Sequence, residues 1–584
     1  MAAQTSQPVA ASAPGRQARS RRLPGWLVVA VPVIAELLIG GYRIAGPSLW
    51  RDEAATISGS NRSVTAILAL TRHQDAVHGL YYLLIHAVIA VGGTTETALR
   101  LPSLIAMALA AGLLAELGRK LAKNTGLPSP GAVGLLAGLL LAVVPLTTRY
   151  AQEARPYALT TLFAVAASYL LVRAAVPARG HDDPLEPSAV PAPVAGGGCS
   201  GWDPPEPPVS DRRWPWWAGY AAAVVVTALF NLFAVLLVVA HGVSLLVARS
   251  RSASNAAPPA TSTSATTPAP EPTSAPAATP ASAVAAGVLA RWLVTAGVAA
   301  VLLAPIVVLS VGQSAQLSWV TRPDPSTVAT LVRDFSGITA LIPVIAMLGI
   351  LGCVAGPGLR RGGGLTLSVL ALPWLIVPPV LLLAISIADP LYVERYVMFC
   401  LPALSLLAAA GLVWLAELSR RAVVQRNLVP GRERLLAIVP SAVLAIVVLA
   451  ALTGPQRAIR QPSARADNLR AVTAIVAASE RPGDAILYLP WDTALVGMAY
   501  PAPFAKLANI GLRSAPIASA TLRGLPASPT VVTARLRTVP RLWTVQWIPP
   551  VPSAGQEAKT LAASGLHVIH RWQIQSVLLT LYAR

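Results

Sequence analysis

The sequence predicts an α-helical polytopic membrane protein, with about eleven transmembrane helices and a small α/β domain at its C-terminal end. Three observations predict it. Hydrophobic residues fill 54% of the 584 positions and charged residues only 12%, about half the charged share of a soluble domain. Several unbroken apolar runs reach the roughly 20 residues that a helix needs to cross a bilayer, and such blocks indicate helices rather than the alternating strands of a barrel. Lys and Arg alternate between loops that are rich and poor in them, the mark of a threaded chain. A water-soluble enzyme is excluded.

Residues 1–23 carry Arg16, Arg19, Arg21 and Arg22 ahead of an apolar run from Trp26. With no clean small-residue cleavage site after it, this run is an uncleaved first span and not a signal peptide. Spans are predicted at 24–42, 98–118, 131–148, 157–174, 215–231, 232–248, 289–310, 337–356, 365–388, 397–416 and 435–452, so residues 24–452 form the transmembrane domain, with a long outer loop at 43–97. In this arrangement the cytoplasmic loops hold 21 Lys and Arg and the outer loops nine, which puts the N-terminus in the cytoplasm and the C-terminus outside the cell membrane. The run Gly79 to Gly93 is apolar but only fifteen residues long. It is expected to lie in the outer interface, with Tyr81, Tyr82 and His86 at headgroup level. The 34-residue stretch 215–248 is too long for one span and must turn back around Asn231.

Residues 175–213 and 252–286 are rich in Pro, Ala, Ser and Thr, and read as disordered cytoplasmic linkers. The tail, 453–584, has strand-like runs at 485–489 (AILYL) and 530–536 (TVVTARL), a helix-like run at 471–479 and a turn at Arg481-Pro482-Gly483-Asp484, the pattern of a small extracytoplasmic α/β domain. The net charge of +20 comes from Arg scattered among apolar runs and not from one patch, so no nucleic-acid partner is expected. Cys199, Cys353 and Cys400 fall in a Gly-rich loop and two spans and offer neither a disulfide framework nor a zinc knuckle.

On the outer side, polar residues concentrate in four places: Trp50-Arg51-Asp52-Glu53, His73 to His78, Arg149 to Tyr157, and Asp389 to Tyr396. Asp52 and Glu53 form an acidic pair just after the first span, suited to base catalysis or to a solvated turn. In RYAQEARPY (149–157), Tyr150, Glu153 and Tyr157 share one face of a helix, and Pro156 suits the first turn of the fourth span. Arg149 and Arg155 either hold a phosphate or pair with Glu153. Arg395, in LYVERY, either faces a phosphate as a bidentate cation or snorkels to the interface. His73, Asp75 and His78 have metal-ligand residue types at a spacing that matches no strong motif. Glu36, midway along the first span, suggests a pocket wall. No phosphate-binding Gly-rich loop or dinucleotide fingerprint occurs.

Taken together, the strings LWRDEAATIS, DAVHGLYYLLIHA, TALRLPSLIA, RYAQEARPYAL and LYVERYVMFCLPAL resemble those of the GT-C membrane glycosyltransferases, in the branch of the protein O-mannosyltransferases and lipid A aminoarabinose transferases. The resemblance covers roughly residues 24–416. It implies an enzyme that takes a sugar from a polyprenyl-phosphate donor on the outer membrane face, with the acidic pair of the first outer loop matching Asp52 and Glu53. On this reading Asp52 and Glu53 are the candidate catalytic residues. His78, Tyr81, Tyr150, Glu153, Arg155, Tyr157, Arg395 and Tyr396 are candidates for binding substrate, and Glu53 or Glu153 orients acceptor, sugar or a divalent metal ion. One departure stands out: the branch commonly has His-Pro-Pro-Leu where this chain has His78-Gly79-Leu80. Neither the sugar, mannose or a pentose, nor the acceptor, a glycan, lipid or protein, transfers with these motifs. A multi-span transporter or lipid flippase is the competing reading, but it needs charges along a central pathway, whereas here they gather at one face. A non-catalytic glycan-binding relative is the third.

Overall fold

The computed structural model describes residues 24–176, 213–256, 280–355, 364–425, 433–548, 561 and 564–584. It runs from α1 (Gly25–Gly41) through three helices of the first long loop, α2 (Arg51–Ser60), α3 (Val64–His73) and α4 (Gly79–Gly92), to α5 (Glu96–Thr125). There follow α6 (Pro130–Val143), α7 (Pro145–Ala151), α8 (Tyr157–Ala175), α9 (Trp214–Phe230), α10 (Leu236–Ala256) and α11 (Pro280–Gly312). The bundle is completed by α12 (Pro325–Ser336), α13 (Ile342–Val354), α14 (Leu367–Ala388), α15 (Leu401–Gln425) and α16 (Glu433–Ala458).

All eleven segments read as spans are helical, and the chain is a multi-pass membrane protein. Seven helical segments among the described residues are long and apolar enough to cross a bilayer unaided, and two bent pairs raise that to nine. The other two expected spans, α1 and α9, have 17 residues each. The bends have local causes. Pro145 opens α7, and the residue before it, Val144, is extended at φ −67° and ψ 129°, because a proline ring disfavours a helical predecessor; α6 and α7 meet at 67°. A second bend of 78° separates α12 from the helical segment Thr339–Val354. At this bend Gly337 has φ +84°, and a Cβ there would sit 2.6 Å from Leu452 Cδ2, so only glycine fits. Helix α12 itself was not anticipated, although Asp324 and Thr327 form its capping box and Pro325 opens it.

Asn231 turns the chain as expected. It ends α9, accepts from Phe233 N through its side chain, and leaves Tyr220 of α9 facing His241 of α10 at 3.1 Å. Small residues allow the tightest helix contact, between α13 and α15: a Cβ on Gly352 would overlap the Leu407 carbonyl, and one on Gly411 the Leu348 carbonyl. The expectation for α4 needs correcting. Tyr81 and Tyr82 are fully buried against protein and do not face headgroups, because α4 packs against α2, α3 and α5. The linkers expected at 175–213 and 252–286 lie mostly outside the described residues; where 252–286 is described, it continues α10 and begins α11.

The C-terminal region contains α17 (Leu469–Ser479), β1 (Ala485–Leu489), β2 (Ala508–Asn509), β3 (Leu512–Ser514), β4 (Leu525–Pro526), α18 (Pro529–Leu536), β5 (Arg541–Trp547), β6 (His567–Ile574) and β7 (Val577–Ala583). Five strands form a mixed sheet in the order β2-β1-β5-β7-β6, parallel among β2, β1 and β5 and antiparallel beyond. The α/β reading of the tail is therefore right, with one error. Residues 530–536 are helical and not a strand, because Ser528 and Pro529 supply a helix start that outweighs the β-branched run. One apolar core joins this domain to the first loop: Val472, Ile486, Trp543 and Leu579 belong to the same buried cluster as Leu49, Ile57, Tyr81 and Leu99.

Candidate active site

The acidic pair opens α2, and consecutive helical residues point about 100° apart, so the two carboxylates part company. Glu53 turns inward and is fully buried. Its Oε1 and Oε2 accept from Arg100 Nε and Nη2, each at 2.8 Å, and Oε1 also accepts from Ala154 N at 2.9 Å. The rest of the Arg100 fork donates to the carbonyls of Ile44, Pro47 and Ser48. This pair thus ties α2 to α5, to the 152–156 turn and to the strap after α1. Arg51 points a third way, donating to both oxygens of Asp467 at 2.8 and 2.6 Å and lying 4.0 Å over the Trp547 ring, which anchors the C-terminal domain beside the pair.

Asp52 keeps a partly open position, with 20% of its side chain exposed. Its Oδ2 lies 3.7 Å from Arg395 Nη2 and has no hydrogen-bond partner. Arg395, in the 3-10 turn Glu394–Cys400 that leads into α15, donates from Nε to the Tyr157 hydroxyl at 3.0 Å, and its guanidinium lies 5.5 Å from the Trp319 ring centre. Tyr157 in turn packs edge-on against Tyr150, ring centres 5.2 Å apart, and Tyr396 stacks on Phe233. Arg155 completes the wall. Burial pulls its guanidinium down, but Asp52 and its other neighbours outweigh burial and hold it well above the usual value. Its Nη2 meets His78 Nε2 at 3.0 Å, and His78 Nδ1 meets Asp75 Oδ1 at 2.6 Å, while the Tyr82 hydroxyl donates to Asp75 Oδ2. Burial pushes the Asp75 carboxyl up, yet His78, Arg155 and Tyr82 together hold it at about 2.

Of the residues singled out in the sequence, Asp52, Arg155, Tyr157 and Arg395 come together, with His78, Tyr150 and Tyr396 behind them. Tyr81 is buried in the core shared with the C-terminal domain. The expected common face of Tyr150, Glu153 and Tyr157 does not form, because α7 ends at Ala151 and Pro156 caps α8. Glu153 is fully buried, 3.8 Å from Arg465 Nε and 4.0 Å from Arg149 Nε. Burial pushes its carboxyl up, against the pull of Arg465 and Arg149. Of the two phosphate-or-pair alternatives, Arg149 takes the pair and Arg155 does not. His73 stays apart, and no group of three His, Cys, Asp or Glu suited to a metal ion occurs among the described residues. Glu36 is fully buried, with neither oxygen bonded.

Sequence reasoning missed Arg100, Asp467, Arg465 and Trp319. Arg100 stood in the string TALRLPSLIA, but its separation of 47 positions from Glu53 carries no periodic signal of a contact.

Residues 79–182 match the family model for dolichyl-phosphate-mannose-protein mannosyltransferases. A search of curated proteins finds no match. Among solved structures the chain is similar to ArnT from Cupriavidus metallidurans, both in the apo state and bound to undecaprenyl phosphate. Each comparison has a TM-score of 0.56 at 13% identity and covers 95% of this chain and 98% of that chain. The fold is thus that of ArnT, and residues 79–182 carry the likeness to the protein mannosyltransferases.

Proposed function

We propose, from this GT-C fold and its site, that the chain is a glycosyltransferase that moves mannose or a pentose from a polyprenyl-phosphate donor to a hydroxyl acceptor. The observation that carries the reading is Asp52: a partly exposed carboxylate whose buried Oδ2 has no hydrogen-bond partner and lies 3.7 Å from a guanidinium, with a second guanidinium, Arg155, close enough to feel its charge. A transfer with inversion needs this combination. The acceptor oxygen attacks the anomeric carbon, Asp52 takes its proton, and the bond from that carbon to the phosphate oxygen breaks. The lipid phosphate leaves carrying the electron pair, and its charge develops beside Arg395 and Arg155, where fixed cations stabilise it most.

Tyr157 fixes the Arg395 fork through its hydroxyl, and Trp319 covers it from the other side. Glu53, occupied by Arg100, acts by positioning α2 and not on substrate. The ArnT structure bound to undecaprenyl phosphate supports a lipid phosphate as ligand. Charge distribution supports a site on the outer face, with the N-terminus cytoplasmic and the C-terminus extracytoplasmic.

The test is to reconstitute the protein in liposomes with a panel of radiolabelled polyprenyl-phospho-mannose and polyprenyl-phospho-pentoses, together with an envelope extract as acceptor. Label from one donor is expected to leave the lipid. If every label stays on its lipid while the lipid crosses the bilayer, the protein is a flippase and the reading is wrong.

A further inference from the structure

The contact between Arg155 and His78 fixes where the hydrogen of the imidazole sits. A guanidinium carries five N–H donors and no acceptor, so at 3.0 Å from Arg155 Nη2 His78 Nε2 accepts with its lone pair. The remaining ring hydrogen is then on Nδ1, which faces Asp75 Oδ1 at 2.6 Å. Asp75 is anchored in turn by the Tyr82 hydroxyl on its second oxygen, and its backbone is held at φ +60°, ψ 39°. Gln313 of α11 pins the next residue by accepting from Ala76 N at 2.8 Å. A rigid turn therefore presents one acceptor to Arg155.

We propose that Asp75 and His78 are a positioning dyad that aims Arg155 at Asp52, and that His78 works only as the neutral Nδ1–H tautomer, so that its protonation disarms the site. A protonated imidazole has a donor at both nitrogens. Nε2–H would then confront the Arg155 N–H, and the two cations must separate. Arg155 moves, since Asp75 holds the other end of the ring. The turn of His78 itself brings Asp75; α4 brings Tyr82, which Arg62 influences; the 152–156 turn brings Arg155. Gln313, just after α11, brings a neutral amide to Ala76 N and the Thr71 carbonyl; α3, packed against the same turn, brings Arg72 and His73 at its end; and the ionisable residue of α9, Tyr220, is engaged with His241 and Trp292.

The consequence for the reaction rests on the transferase reading, but the tautomer does not, and the experiment keeps them apart. The purified wild-type protein is labelled with ¹⁵N-histidine, and the His78 signals are assigned by their loss in His78→Gln. A pyrrole-type shift at Nδ1 and a pyridine-type shift at Nε2 are expected near neutral pH. A hydrogen on Nε2 would overturn the dyad, whatever the protein catalyses.

The second arm follows transfer from whichever polyprenyl-phospho-sugar is active, as a function of pH. Misaiming Arg155 by about an ångström costs on the order of 10²-fold, so His78→Ala is expected to lose about that much. Gln carries an amide oxygen near the place of Nε2 and cannot be protonated; His78→Gln is expected to recover most of the loss and to remove the acid limb assigned to the imidazole. Recovery with the acid limb unchanged, or equal loss in both variants, refutes the dyad. Absence of transfer from every donor refutes the transferase reading and leaves the tautomer measurement standing.

Discussion

Replacing Glu53 with Gln separates the functions of two neighbouring carboxylates. Glu53 has three hydrogen bonds at 2.8 to 2.9 Å, two of them from Arg100, and neither side chain of that pair touches solvent. Gln preserves the volume and one acceptor oxygen, but it turns an NH₂ group toward the guanidinium and leaves the Arg100 charge buried without a counterion. Removing one partner of a buried pair costs about 3–5 kcal/mol, a large share of the roughly 5–15 kcal/mol that holds a protein folded. One residue earlier the contact is looser. Asp52 is partly exposed and 3.7 Å from Arg395, with no hydrogen bond on Oδ2, so its loss costs less than that of the Glu53 pair. Purified Glu53→Gln in detergent is expected to unfold well below the wild-type temperature and to elute poorly from size exclusion. Asp52→Asn is expected to match the wild type in both measurements and to lose transfer by about 10²- to 10⁴-fold. A Glu53→Gln protein as stable as the wild type would show that the Arg100 pair does not hold α2, and near-normal turnover in Asp52→Asn would remove Asp52 as the base.

Arg395→Lys keeps the charge but loses the fork and the bond to Tyr157. Affinity for undecaprenyl phosphate, measured by calorimetry, is expected to fall about tenfold, or about 1.4 kcal/mol, and an unchanged affinity would put the phosphate elsewhere. Burial pushes the Asp467 carboxyl up, but Arg51 and Ser576 outweigh it and hold the group below the usual range. Its contribution to docking the C-terminal domain is then complete above the unfolded value of about 3.9 and is lost as pH falls through the lower folded value. Hydrogen exchange in 51–60 is therefore expected to quicken on acidification in the wild type. In Asp467→Asn it is expected to be fast already at neutral pH, and wild-type acid sensitivity in that variant would refute the assignment. The 21-to-nine bias of basic residues predicts that a reporter active only outside the cytoplasm works when fused after Arg584 and fails within 257–279; like behaviour of the two fusions would overturn the topology.

The helices were legible because their signal is local. An apolar run such as 98–118 has one stable arrangement in a bilayer, since a backbone in lipid must bond to itself. Asn231 could be placed as a turn because a continuous 34-residue helix would overshoot. Pro145 and Gly337 were in plain view but read as parts of spans, because a proline or glycine can sit inside a membrane helix and only its neighbours decide whether it bends. The run 530–536 misled for a related reason: β-branched residues suggest a strand, and a proline at the first helical position, Pro529, overrides them.

By itself the sequence determined the membrane class, the helical segments, the α/β tail, and four polar loops in which Asp52, Arg155, Tyr157 and Arg395 could be suspected. It carried these because composition and periodicity act over a few residues. The tertiary structure alone decided that Glu53 is bonded to Arg100 while Asp52 Oδ2 is not hydrogen-bonded, that Glu153 pairs with Arg465 and Arg149, and that Asp75 and His78 contact one another and Arg155. It also decided that Arg51 reaches Asp467 from 416 positions away. Those outcomes depend on which charge meets which in a buried space. That is a property of distance and desolvation, and no spacing along the chain encodes it.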